Sequence, residues 1–179
     1  AGGTDQARLP QDPRGASKIV KNFWRARVFC GWASPKVIDF SPEGKLDFGN
    51  KEYNYLFYEA EINASSITTP KNISTGFLVS TDTLLNFLEN SLNQMGFTAS
   101  ESADFITYWY PQMIKNETNC VRFLFNEECN VYGELKITPV PETIFRVGMI
   151  WSDGSKMISP MQSQDLQKFE RKGFTVVEW

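Results

Sequence analysis

The chain has 179 residues, of which 41% are hydrophobic and 14% aromatic, and its formal net charge is −3 at pH 7. This length and composition fit one folded domain with its own core, and the negative charge argues against general nucleic-acid binding, which needs a basic surface. The sequence contains no His, which excludes Ser-His-Asp and Cys-His nucleophiles, His-ligated zinc and His general bases. No apolar run approaches the roughly 20 residues of a transmembrane helix.

Residues 1–18 are predicted to form a flexible N-terminal extension, because Gly, Pro, Gln and mixed charges dominate them. The remainder, 19–179, is predicted to be a single domain. Its first half favours strands, which are expected in order at 23–31, 37–40, 45–48, 53–62 and 76–79. The second and third of these are predicted to form a hairpin, since Pro42 and Gly44 stand at favoured turn positions.

Two consecutive helices are predicted, at about 82–95 and 99–114. Leucines recur every four residues in the first segment until Gly96 ends the pattern. The second begins with Thr98 and Glu101, which have the spacing of a capping box.

The chain then returns to strands, predicted at 120–125, 135–138, 144–151 and in the last residues, 174–179. The order of β-rich, helical and β-rich segments indicates an α+β fold. We expect a largely antiparallel β-sheet with the two-helix insertion covering one face.

Several motifs of this chain, taken together, resemble an uncharacterised family of bacterial and eukaryotic proteins. They are Tyr108-Trp-x-Pro111 in the second helix, Pro139-x-Pro141, Arg146-Val-x-Met149 and the C-terminal Arg171-Lys-Gly-Phe-Thr-Val-Val-Glu-Trp179. The resemblance covers most of 30–179. It implies an extracytoplasmic location and no particular activity.

Without His, acid–base catalysis would depend on carboxylates, so Glu59, Glu61 and Glu178 are weak catalytic candidates, with Arg146 to polarise an oxygen. Two carboxylates at a suitable separation are the apparatus of glycoside hydrolysis. Glu residues at alternate strand positions, such as Glu59 and Glu61, more often belong to a solvated strand face. No pattern predicts a cofactor or metal site, since the chain has neither a phosphate-binding glycine loop nor a Cys-x-x-Cys pair.

Three Asn residues, Asn63, Asn72 and Asn116, stand in the N-x-Ser/Thr pattern of glycosylation acceptors. The chain also has three Cys residues. Cys120 and Cys129 flank a predicted irregular hairpin and are candidates for a disulfide; the alternative is that they are buried thiols, and Cys30 would be left over.

We therefore predict a non-enzymatic structural or binding module of a secreted or cell-surface assembly. Its partners are expected to be other protein subunits, including further copies of itself. One alternative is an accessory subunit of an organellar complex, reached after removal of a presequence. Another is a carboxylate-dependent glycoside hydrolase or a glycan-binding module, in which Tyr53, Tyr55 and Phe57 would share one strand face as a stacking platform. The alternative for these rings, which we favour, is that they belong to the core that the helices cover.

Overall fold

The computed structural model describes the second half of the chain almost completely and the first half in short stretches. The described residues are 16–19, 26–28, 36–40, 45–48, 51–53, 55–57, 74–131, 135, 137, 139–157 and 161–179.

Strands predominate among these residues. They are β1 (Ala16–Ile19), β2 (Ala26–Val28), β3 (Lys36–Phe40), β4 (Leu46–Phe48), β5 (Lys51–Tyr53), β6 (Leu56–Phe57), β7 (Thr75–Ser80), β8 (Thr118–Phe125), β9 (Thr143–Asp153), β10 (Gln162–Ser163) and β11 (Thr175–Glu178). The helices are α1 (Leu84–Met95), α2 (Ala99–Met113), α3 (Glu127–Asn130) and a 3₁₀ turn, Gly154–Lys156.

Seven strands form one sheet in the order β10-β7-β8-β9-β11-β1-β6, and four form another in the order β2-β3-β4-β5. The predicted α+β class is confirmed, but the large sheet is mixed. Two of its pairings, β10 with β7 and β11 with β9, are parallel, and the others are antiparallel. β10 and β11 run in the same direction as β9, so each is reached by a crossover connection and not by a tight hairpin turn.

The helix pair covers one face of the large sheet, and its observed bounds lie within two residues of those predicted. Side chains on one face of β8 and β9 meet one stripe of each helix in a single core. This core includes Leu88, Leu92, Met95, Phe105, Trp109, Val121, Phe123, Phe145 and Trp179. The spacing of four residues in α1 and of two in β8 places these side chains on the buried faces.

The turn between α1 and α2 follows the sequence prediction closely. Gly96 has φ of 97°, the left-handed conformation that ends α1. Thr98 then caps α2, and the Thr98 N–H donates a hydrogen bond of 2.8 Å to the Glu101 carboxylate. The capping box is therefore formed as predicted.

The C-terminal strand lies inside the sheet, between β9 and β1. All residues from Phe174 to Trp179 are buried. The preceding segment crosses the helix-covered face, where the Phe169 ring stacks on Phe145 at 4.2 Å and Arg171 forms an ion pair with the buried Glu101. The Arg171–Trp179 motif thus packs against both the helices and the sheet.

The structure differs from the sequence prediction in two segments, one near the N-terminus and one before β9. Residues 16–18, assigned to the flexible extension, belong to β1, which pairs with β11 and β6. Leu135 and Ile137, predicted to lie in a strand, are irregular. The following Pro139 and Pro141 lack the backbone N–H that a sheet requires.

No helix in the described part of the chain is long and apolar enough to cross a membrane. Among the same residues, no group of three or more His, Cys, Asp or Glu side chains is placed to hold a metal ion.

Candidate functional site

Two of the four predicted catalytic candidates, Arg146 and Glu178, contact each other. The parallel register of β9 and β11 aligns these two residues on the sheet face opposite α1 and α2. The Arg146 Nε and Nη2 atoms donate to the two carboxylate oxygens of Glu178, the second at 3.2 Å. Each side chain is only 8% exposed, so this is a buried bidentate ion pair.

Residues at and beside α3 complete the surroundings of this pair. The Asn130 side chain accepts a hydrogen bond from Arg146 Nη1. Asn126, which has a positive φ of 44°, exchanges two hydrogen bonds with the Arg146 backbone, of 2.9 and 3.1 Å. A positive φ is uncommon for a residue other than Gly, and these two hydrogen bonds hold Asn126 at the turn into α3.

The geometry of the pair indicates a structural role. Both oxygens of the Glu178 carboxylate are engaged by Arg146, and burial keeps the two charges away from any substrate in solvent. The predicted catalytic partners Glu59 and Glu61 lie outside the described residues, so their approach to Glu178 stays a prediction.

The predicted disulfide between Cys120 and Cys129 is not formed; both are free and buried thiols. Cys120 is paired with Ser152, whereas Cys129 contacts the backbone of Leu124, four residues further along β8. Four residues of strand span about 13 Å, well beyond disulfide reach. Burial raises the pKa of both thiols, an effect that a Ser152 hydrogen bond partly offsets at Cys120 and a Gly148 backbone hydrogen bond partly offsets at Cys129.

Of the three predicted glycosylation acceptors, only Asn116 lies among the described residues. It is half-buried in the turn between α2 and β8, and its Nδ2 donates to Asn119 Oδ1 at 3.0 Å. This arrangement presents the amide poorly to a modifying enzyme. Asn63, Asn72 and the third cysteine, Cys30, are outside the described part of the chain.

The predicted aromatic platform is divided between two sheets. Tyr53 ends β5 and is 41% exposed, while Phe57 belongs to β6 of the large sheet. Between them, the Tyr55 ring packs near Trp179, with centroids 6.4 Å apart. A single long strand carrying all three rings on one face is therefore wrong, because the chain changes sheet after Tyr53.

A second candidate site is a shallow groove beside β7, with a volume of about 320 Å³. We call it the β7 groove. Its lining residues are Gly76, Phe77, Leu78, Val79, Thr83, Phe87, Met161 and Ser163. None of these described residues has an ionisable side chain, so the groove offers apolar surface, hydroxyl groups and backbone.

The groove follows a part of the β7 edge that no strand of the described residues covers. On that side, β10 pairs only with Thr75 and Gly76. In an antiparallel pair, the backbone groups of successive residues point alternately toward and away from the neighbouring strand. The Thr81 N–H donates to the Glu117 carbonyl at 3.0 Å, so Thr81 and every second residue before it point toward β8. By this alternation, the N–H and C=O of Leu78 point away from β8, toward the groove.

By contrast, the neighbouring edge of β8 is closed by side chains where β7 leaves it. The Gln164 amide exchanges hydrogen bonds of 2.9 and 2.7 Å with the N–H and C=O of Phe123. The Glu128 carboxylate accepts the Phe125 N–H at 3.0 Å and also pairs with Arg122. Proteins commonly protect strand edges in such ways, yet β7 carries no equivalent cover among the described residues.

Comparison with family models, curated proteins and solved structures finds no match for this chain. The resemblance to an uncharacterised family stays a prediction.

Sequence reasoning located the strand at 76–79 but did not find the groove. The available signal was a short strand, Gly76-Phe-Leu-Val79, with no charged residue. That pattern is also typical of a central strand, and only the topology shows that this one lies near an edge.

Proposed function

We propose that this chain is a non-enzymatic protein-binding module of a larger assembly and that it binds a partner through the β7 groove. The observation that carries the proposal is the edge of β7 at Leu78, which lies between apolar side chains and is covered by no strand of the described residues. The Leu78 side chain is 60% exposed. Exposed apolar surface beside unpaired strand groups is typical of a protein-interaction site.

The same observations weaken the support for the glycoside hydrolase alternative. The described lining residues of the groove include no acid or base, and Glu178 is held in a buried pair with Arg146. The glycan-binding alternative loses support because its three aromatic residues do not share a strand.

The location of the module is proposed from the sequence. A secreted or cell-surface assembly is the first choice, and an organellar complex is the alternative. Either setting is compatible with a module that acts through protein contacts.

Selection from a random peptide library displayed on phage tests the proposed function. The immobilised protein should enrich related sequences over several rounds, because the groove offers the same backbone and apolar contacts to each. Failure to enrich any sequence above the bare support would overturn the proposal.

Matched variants then locate the binding site. Leu78→Lys places a charge in the groove and should weaken binding of the selected peptides about tenfold or more, since burying an unpaired charge is costly. Val131→Lys is the control, because Val131 has a similar exposure of 65% and does not line the groove. Equal affinity of both variants and the wild type would show that the peptides bind elsewhere.

A further inference from the structure

We propose that the partner contributes an extended, uncharged segment that joins the large sheet as a strand beside β7, next to β10. This inference rests on the proposed function and specifies how the β7 groove recognises its ligand. Strand addition to an open sheet edge is a recurrent mode of peptide recognition.

The backbone of β7 supplies the first argument. The Leu78 N–H and C=O face the groove, and the N–H of Ser80 follows on the same side by the same alternation. The Ser80 C=O is already used by the Thr83 N–H at 3.1 Å. The edge therefore offers three backbone groups, which match those of a short extended segment.

The adjoining strand shows that this side of β7 accepts a neighbour. In β10, the Gln162 N–H donates to the Ser74 carbonyl at 3.0 Å, and Ser163 lies beside Gly76. Beyond Gly76, the residues from Phe77 to Ser80 have no strand on this side within the described residues. Four strand residues extend about 13 Å, so the added segment is expected to pair over about four residues.

The side chains on the two faces of the edge supply the second argument. On the helix-covered face, the Phe77 and Phe87 rings lie with centroids 5.1 Å apart and are only partly buried. On the opposite face, Leu78 and Met161 present apolar surface. Neighbouring residues of a strand point to opposite faces, so consecutive apolar side chains of the ligand would contact the two faces in turn.

The described lining of the groove has no ionisable side chain, and this sets the expected charge of the ligand. A Lys, Arg, Asp or Glu placed opposite Leu78 would lose hydration without meeting an opposite charge on these lining residues. The ligand's paired residues are therefore expected to be uncharged, with an apolar residue opposite Leu78 and others directed to the Phe77–Phe87 side.

Backbone methylation of a selected peptide tests strand addition directly. Replacing its amide N–H groups one at a time by N-methyl groups should weaken binding about two- to tenfold at the positions that pair with β7. These positions should alternate along the peptide, because only every second residue of a strand faces one neighbour. Methylation at the intervening positions is the matched control.

Amide hydrogen exchange of the full chain provides the second measurement. With peptide at 100 times its Kd, exchange at the Leu78 and Ser80 amides should slow by up to about 100-fold. If selected peptides bind and Leu78→Lys weakens their binding as expected, but neither methylation nor exchange shows the expected pattern, the strand-addition inference is overturned and the proposed function stands. If no peptide is enriched, both fail.

Discussion

The Arg146–Glu178 pair illustrates how single residues stabilise this fold. Removing two charges from water is costly, and the bidentate contact and the Asn130 hydrogen bond offset that cost. The two side chains form a buried ion pair. The loss of one member would remove this bidentate contact from the other's buried charge.

Single substitutions of this pair should be strongly destabilising. Glu178→Gln and Arg146→Met are each expected to lower the free energy of unfolding by about 3–5 kcal/mol, because each removes the bidentate counterion contact of a buried charge. The double variant Arg146→Met/Glu178→Leu should lose less than the two single losses combined. Denaturant titrations followed by tryptophan fluorescence measure these values.

The exposed ion pair between Lys45 and Glu52 provides the control. Its atoms lie 3.3 Å apart, but the two side chains are 41% and 58% exposed. Glu52→Gln should therefore change the free energy of unfolding by no more than about 1 kcal/mol. Strictly additive losses in the double variant would argue against the charge-based explanation.

At the scale of elements, the helix hairpin depends on its central turn. Gly96 ends α1 in the left-handed conformation, and a Cβ at this position would lie 3.0 Å from the Phe169 carbonyl oxygen. Two residues later, Thr98 caps the N-terminus of α2. Arg171 reaches the capping residue Glu101 from the C-terminal segment, so the same turn also holds that segment in place.

Substitutions at the N-termini of α1 and α2 are expected to lower the free energy of unfolding by different amounts. Thr98→Ala should lower the free energy of unfolding by about 1–2 kcal/mol, because the Thr98 side chain accepts the Glu101 N–H. Thr83→Ala is the control: Thr83 precedes α1 but its side chain caps no helix N–H. Thermal or chemical unfolding of both variants measures the difference, and a larger loss for Thr83→Ala would contradict the assignment.

Local sequence signals predicted the elements whose pattern is complete within a few residues. The Leu repeat of α1 and the capping box of α2 are examples, since each depends on neighbours three or four residues apart. The mixed sheet order could not be predicted in this way. The parallel placement of β11 beside β9 brings together residues 32 apart, Arg146 and Glu178, and no local pattern specifies that register.

At the scale of the whole molecule, the large sheet has contrasting parts. Its centre is covered on one face by α1 and α2, and β8 is closed by Gln164 and Glu128 where β7 leaves it. The β7 groove combines the exposed Leu78 side chain with a backbone edge that no strand of the described residues covers. A short strand in the sequence did not reveal this feature, because edge exposure is a property of the assembled sheet.

The central claim is that the β7 groove is the surface by which this module binds its partners. Amide chemical-shift mapping of the full ¹⁵N-labelled chain with one selected peptide tests it most directly, because every resolved backbone amide is observed together. The largest shifts should fall on Gly76–Ser80, Thr83, Phe87 and Met161–Ser163, and they should disappear in Leu78→Lys but persist in Val131→Lys. Largest shifts on another surface, unaffected by Leu78→Lys, would contradict the claim.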